Sequence, residues 1–266
     1  MRLGCCRGGS VWAGGGPPEL DAAAFGGRDR KALRRAHLLL TAVRGAAPKG
    51  AFRWRRPRHT LKGRQDADAA DRAGLRRKLL KAQAEAGDIV LLFGDESEVL
   101  THPYLAQVWA KKGADLCIPA PGQSAKVAML GVLDWARRDL IVHTSRTKRS
   151  LDFIALLEEV DRRYGPKVGV AIKPIVLVLD NGPIHTSKAS RAALAERAHW
   201  LTVEWLPKYA PELNDIEGVW RDLKRHHLAH QTFTGPDDLN RAIHQAVITL
   251  NTERNRHPWD NQQMAA

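Results

Sequence analysis

Three short stretches each place a carboxylate where it could do chemistry. IVLLFGDES (89–97) carries Asp95, IVLVLDNGPIH (175–185) carries Asp180, and LPKYAPELNDIEGVW (206–220) carries Glu217. The first two are short runs of Ile, Val and Leu bounded by Gly or Pro, the pattern of buried strands. An acid at the C-terminal mouth of a buried strand is costly unless positive charge meets it, and a divalent cation is the obvious source. Three converging acids suit the breaking or joining of phosphodiesters. There, two ions about 3.5–4 Å apart flank an in-line displacement, one at the attacking oxygen and one at the leaving oxygen. Mg²⁺ takes hard oxygen ligands and keeps several waters, so a few carboxylates and a substrate phosphate suffice. On this scheme Asp95 bridges both ions, with Asp180 on one side and Glu217 on the other. Glu96 and Glu98 are bystanders, and strand alternation turns Glu96 to the face opposite Asp95.

The elements that must position these acids follow from periodicity. Apolar runs at 88–94, 127–136 and 139–145 read as three successive strands, with Trp135 to Asp139 as a tight connection. Ser150 to Tyr164 has helical spacing at Leu151, Ile154, Ala155, Leu157 and Val160, closed by Gly165-Pro166. A strand (174–180), a helix (187–198), a strand (201–206) and helices near 215–228 and 237–253 complete the pattern. Three strands in hairpin succession followed by alternating helix and strand predict a mixed sheet flanked by helices. Upstream, 66–85 reads as a helix. Residues 1–50 form an irregular, Gly-rich segment with one short helix over 29–43, so the expected divisions are 1–50, 51–87, 88–255 and a tail over 256–266.

Charge is unevenly placed. Residues 1–90 hold 20 Lys and Arg against 8 Asp and Glu, whereas residues 91–266 hold 22 against 21. A basic segment on a near-neutral domain is the footprint of nucleic-acid binding; from charge alone a solvated basic tail reads equally well. RWRRPRHTLKGR (53–64) supplies Arg53, Arg55 and Arg56 as candidate backbone contacts. No apolar run approaches a membrane span, and no secretory h-region opens the chain. Cys5, Cys6 and Cys117 form neither a CxxC pair nor a disulfide framework. A cytoplasmic setting without membrane contact is the expectation.

Each candidate also has a plainer reading. Asp180-Asn181-Gly182 is a strand-to-turn signal in its own right. Glu217 follows Asn214 by three residues, the spacing of a capping box with Asn214 as N-cap, and one acid could serve both roles. His185 reads as a group orienting substrate or water, or as a structural histidine. Arg221 and Lys224 share a helix face with Glu217 and read as phosphate contacts or as solvated charge. Asn181, Lys208 and Tyr209 are further substrate candidates. Trp220, Trp109, Trp135, Trp200 and Trp205 read as core, with Trp109, Lys111 and Lys112 in the connection after the first strand also open to DNA.

GDES, LDNGPIH and LPKYAPELNDIEGVWRDLK together resemble the three motif regions of the IS630-type transposases, within the Tc1/mariner superfamily of DDE transposases. The resemblance covers about residues 88–255, and 36 residues separate Asp180 from Glu217, a spacing typical of that group. It implies a ribonuclease H-like α/β fold with Asp95, Asp180 and Glu217 as catalytic and metal-binding residues. It also implies dependence on Mg²⁺ or Mn²⁺, in two ions, and cleavage of DNA at element ends. Transfer of the freed 3′-hydroxyl to target DNA at TA, by a homodimer, would follow. Two departures stand out. Residues 1–50 lack the paired helices of an N-terminal helix-turn-helix region, which points to a truncated copy, and Asp215 stands where many relatives carry Pro. A non-catalytic DNA-binding or inhibitory remnant, or a host nuclease of the same fold, are the alternative readings.

Overall fold

The computed structural model describes residues 64–169 and 173–256, all within the unit His59–Ala266. The expected helix over 29–43 and the basic residues Arg53, Arg55 and Arg56 lie outside the described residues.

Five strands form one mixed sheet in the order β3-β2-β1-β4-β5. They are β1 (Val90–Leu100), β2 (Lys126–Asp134), β3 (Asp139–Ser145), β4 (Ile175–Leu179) and β5 (Leu201–Trp205). β1, β2 and β3 run antiparallel in succession, while β4 and β5 lie parallel to β1 and to each other. That order and those directions make the predicted ribonuclease H-like architecture. β4 is buried along its whole length, as a central parallel strand covered on both faces should be. Among the described residues no helix is long and apolar enough to cross a membrane.

Helices cover the two faces of the sheet. On one face lie α2 (Ser150–Tyr164), the short α3 (Pro183–Thr186) and α4 (Lys188–Glu196). α2 buries Phe153, Leu156, Leu157 and Val160, positions one helical stripe apart. Leu151, read from sequence as part of that stripe, is one step out of phase and is 73% exposed. α1 (Ala67–Glu85), α5 (Ile216–Asp222) and α6 (Pro236–Arg256) belong to the opposite face. α5 runs into a single π-helical turn over Leu223–His227. A structural N-cap opens α1, where the Asp66 carboxylate accepts from the Ala69 amide at 3.0 Å. The tryptophans divide. Trp200 and Trp220 are core and Trp135 packs against it, but Trp109 stands fully in solvent and Trp205 is partly exposed on the edge strand.

β1 does not stop at Asp95, as a strand with its acid at the mouth would. It continues to Leu100, pairing with β2 throughout, and only its first half pairs with β4 (Val90↔Ile175 to Phe93↔Val178). Asp95 therefore lies two residues beyond the end of the parallel pairing, with Gly131 as its cross-strand partner. The lack of a side chain at Gly131 is required there, because a β-carbon would overlap the indole ring of Trp220, with Cζ2 at 2.7 Å. This seats α5 against the sheet. Gly131→Ala is expected to destabilise the protein by about 1–3 kcal/mol through overpacking. Urea unfolding measures this, and an unchanged midpoint would show that the indole can move aside.

Candidate active site

Asp95, Asp180 and Glu217 come from β1, from the residue after β4 and from the first turn of α5, and all three line one cavity of about 420 Å³. Asn181, Gly182, Asn214 and the turn Leu206–Pro211 complete its wall. A larger cleft of about 610 Å³ lies along β5 and α4, but Arg191 is the one ionisable residue on its wall. The chemistry therefore points to the smaller cavity.

Three local ties set the walls. Asn214, 5% exposed, donates its side-chain amide to the Gly94 carbonyl at 3.0 Å. The capping box expected at this position is thus not formed. Asn214 reaches across to β1, and α5 begins after Asp215 without a side-chain cap. Asn181 donates to the Leu206 carbonyl, and the Leu206 amide donates to the Leu179 carbonyl at 2.8 Å, so the ends of β4 and β5 are joined. Tyr209 turns the chain with a φ of 61°, in the left-handed region that side chains seldom adopt. The Asn214 tie was not legible from sequence. An Asn three residues before a Glu gives the capping signal whether or not its amide finds a more distant carbonyl.

Electrostatics mark Asp95 as the group on which the cluster converges. Burial, then the negative charges of Glu217, Glu96 and Asp180, push its carboxyl up to about 7 against one opposing backbone hydrogen bond. Asp180 goes the other way. The hydrogen bond from His185 holds it below the usual carboxylate range, aided by the Gly182 amide at 2.9 Å. Burial lowers the tendency of Lys224 to hold its proton, although Glu217, Glu98 and Asp95 oppose that. Among the described residues no Lys or Arg lies within ion-pair distance of Asp95 or Glu217.

The other sequence-predicted residues distribute plainly. Asn181 and Lys208 line the cavity. Lys224 is half-buried near Glu217, whereas Arg221 points into solvent beside Asp222. His185 is not on the cavity wall; it is 1% exposed, behind Asp180. Glu96 faces away from Asp95, as strand alternation requires, and meets His185 from the other side.

The donor set fits a hard divalent cation. Asp95 and Glu217 have no Lys or Arg within ion-pair distance among the described residues, and the Asn214 Oδ1 is buried with no hydrogen-bond partner. Among the described residues, the group whose ligand atoms all lie within 4.8 Å of one another is Glu96, Asp180 and His185 rather than the three acids, but there the His185 Nδ1 is already engaged by Asp180 at 2.7 Å.

Without divalent cations, folded Asp95 keeps its proton up to about pH 7, against an ordinary value of 3.8. Between those values the folded chain holds more protons than the unfolded one, so stability falls as pH rises through the window. Asp95→Asn abolishes that titration. Its melting temperature should exceed that of the wild type increasingly from pH 4 to pH 8, measured in chelator. A gap independent of pH would contradict this environment for Asp95.

A family model described as DDE superfamily endonuclease matches residues 90–240, from β1 into α6 and through all three acids. The insertion element IS630 uncharacterized 39 kDa protein of Shigella sonnei is 27% identical over 192 residues, 72% of this chain and 52% of its own. The chain thus spans about half the length of that curated relative. The solved Mos1 transposase paired-end complex with left transposon end is 17% identical, covers 93% of this chain and 80% of its own, and has a TM-score of 0.46. For the Mos1 mariner paired end complex with Mn the values are 16%, 91%, 79% and 0.48. Matched by the model over more than half its length, the chain belongs to the DDE superfamily endonuclease family.

Proposed function

We propose that this chain is the catalytic domain of an insertion-sequence transposase, cutting DNA strands at element ends and joining the freed 3′-hydroxyl to target DNA. The observation that carries the reading is the convergence of Asp95, Asp180 and Glu217 on one cavity, with Asp95 half-buried among like charges. The IS630 insertion-element relative points the same way.

In this reading Asp95, Asp180 and Glu217 hold Mg²⁺ or Mn²⁺, two ions in all. When bound, the ions activate the attacking oxygen and neutralise charge on the leaving oxygen. Asp95, on which both other acids act, would hold the ions together with them. Lys208, on the cavity wall, and Lys224, near Glu217, would hold the strand by its phosphates. The Asn214 and Asn181 ties hold the acids while the strand is bound, so that orientation is set before reaction. Pairing of two element ends calls for a second copy of the chain.

The full chain should nick supercoiled plasmid in Mn²⁺ or Mg²⁺ and not in chelator. Asp95→Ala, Asp180→Ala and Glu217→Ala should each reduce nicking by roughly a hundredfold or more, with circular dichroism unchanged. Full activity in any one variant removes that residue from the mechanism. Salt-sensitive DNA binding without nicking would identify a non-catalytic remnant, and preference for branched DNA a host nuclease.

A further inference from the structure

β1 delivers two adjacent acids to opposite faces of the sheet. Asp95 enters the cavity, whereas Glu96 turns toward the α2–α4 face and has a 13% exposed side chain. Between Glu96 and Asp180 lies the imidazole of His185, 1% exposed. Its Nδ1 donates to Asp180 Oδ1 at 2.7 Å, and its Nε2 stands 3.7 Å from Glu96 Oε1, within ion-pair reach but too long for a hydrogen bond. The ring is fixed from its flank by Phe153, edge to face with centroids 4.7 Å apart. Its backbone is fixed as well, by the His185 amide on the Gly182 carbonyl at 3.1 Å.

The consequence falls on Asp180. Oδ1 receives two donors, His185 Nδ1 and the Gly182 amide, while Oδ2 has no hydrogen bond among the described residues. A carboxylate held by one oxygen in this way presents the other in a fixed direction. Partners behind a ligating group orient it and tune its basicity, as second-layer contacts do in metal sites generally.

We propose that His185 and Glu96 are positioning residues: they form a latch behind Asp180 that aims its free oxygen at a divalent cation in the cavity. The inference rests on the metal-dependent reading of the site given above. Neither residue touches substrate, and Glu96 acts only through the ring. The two acids of the GDES segment thus serve one site from its two sides.

Isosteric replacements separate this role from core packing. The amide of His185→Asn reproduces the Nδ1 position, that of His185→Gln the Nε2 position, and His185→Phe keeps volume against Phe153 without a donor. Mn²⁺ binding to the full chain, measured by the loss of the free-ion paramagnetic resonance signal, is the readout, with Asp180→Asn as the reference. The latch predicts that His185→Asn stays within about threefold of wild type, while His185→Gln and His185→Phe weaken Mn²⁺ by roughly ten- to hundredfold. Glu96→Gln should weaken it less. Wild-type affinity in both Gln and Phe variants would overturn the latch and leave His185 as core. Should the Phe variant fail to fold, the Asn and Gln pair decides alone. Equal loss in Asn and Gln would overturn it in favour of direct ligation by His185. If Asp180→Asn binds Mn²⁺ as wild type does, or wild type does not bind, the metal-site reading itself falls and the latch with it. Loss in Asp180→Asn with none in the His185 variants sinks only the latch.

Discussion

Like charges must be held close together in this cavity, and most of the surrounding structure can be understood as the means of doing so. Like charges near a protein surface repel, the more so as they lose water, and three carboxylates on one wall share that cost. Asp95 shows the effect directly, its carboxyl pushed up to about 7 by burial and by its neighbours. Such a cluster persists only if its supports cannot move apart. Here the supports are backbone carbonyls. Asn214 holds the start of the α5 segment to Gly94, one residue before Asp95, and Asn181 holds the residue after Asp180 to Leu206. Each tie is one side-chain amide wide, and each joins stretches far apart in sequence.

The same constraint explains why β1 is long. A strand that ended at Asp95 would leave that acid on a mobile end. Continued pairing with β2 from Glu96 to Leu100 instead fixes the backbone on both sides of it, while β4 ends early enough to open the cavity. Gly131 opposite Asp95 lets Trp220 approach the sheet, so the helix carrying Glu217 is positioned by packing against the strand that flanks the first acid. Burial, not hydrogen bonding, does this part of the work: the Trp220 indole nitrogen is itself buried without a partner.

Much of this was legible in the sequence, and the parts that were not share a cause. The succession of strands and helices, the helix over 150–164 and the opposite facing of Asp95 and Glu96 follow from local pattern, since period-2 and period-3.6 spacing report burial directly; the order of strands within the sheet came with the family resemblance. Contacts made by choosing among distant partners leave no such trace. Asn214 carries the signature of an N-cap but bonds across the sheet. His185, after an Asp-Asn-Gly turn, reads either as an orienting group or as a structural histidine, with nothing in the local pattern to choose between them. Its burial depends on Phe153, thirty-two positions earlier in the chain. Trp109 and Trp205 are apolar by type, yet one lies in the β1–β2 connection and the other on an edge strand, where neither has a layer to cover it.

Asp215 extends the argument to the helix outside the sheet. A proline at the start of a helix fixes φ by its own ring and needs no partner. An aspartate has no such restraint, and in this chain it is gripped by α1: Lys81 Nζ lies 2.7 Å and Arg77 3.3 Å from its carboxylate. The Lys81 contact is an ion pair rather than an aligned hydrogen bond, because Asp215 Oδ2 has no hydrogen-bond partner. Arg77 also donates to the Glu212 carbonyl, Gln65 bonds the Glu212 side chain and Arg76 pairs with Glu204. Four residues of the segment 65–81 therefore hold the two ends of the turn that leads into Glu217. The two Asp215 pairs are partly shielded from solvent, so salt screens them less than it does the exposed Arg76–Glu204 pair. Rigidity that a proline would build into the turn is here supplied by α1, which makes that helix part of the scaffold of the site.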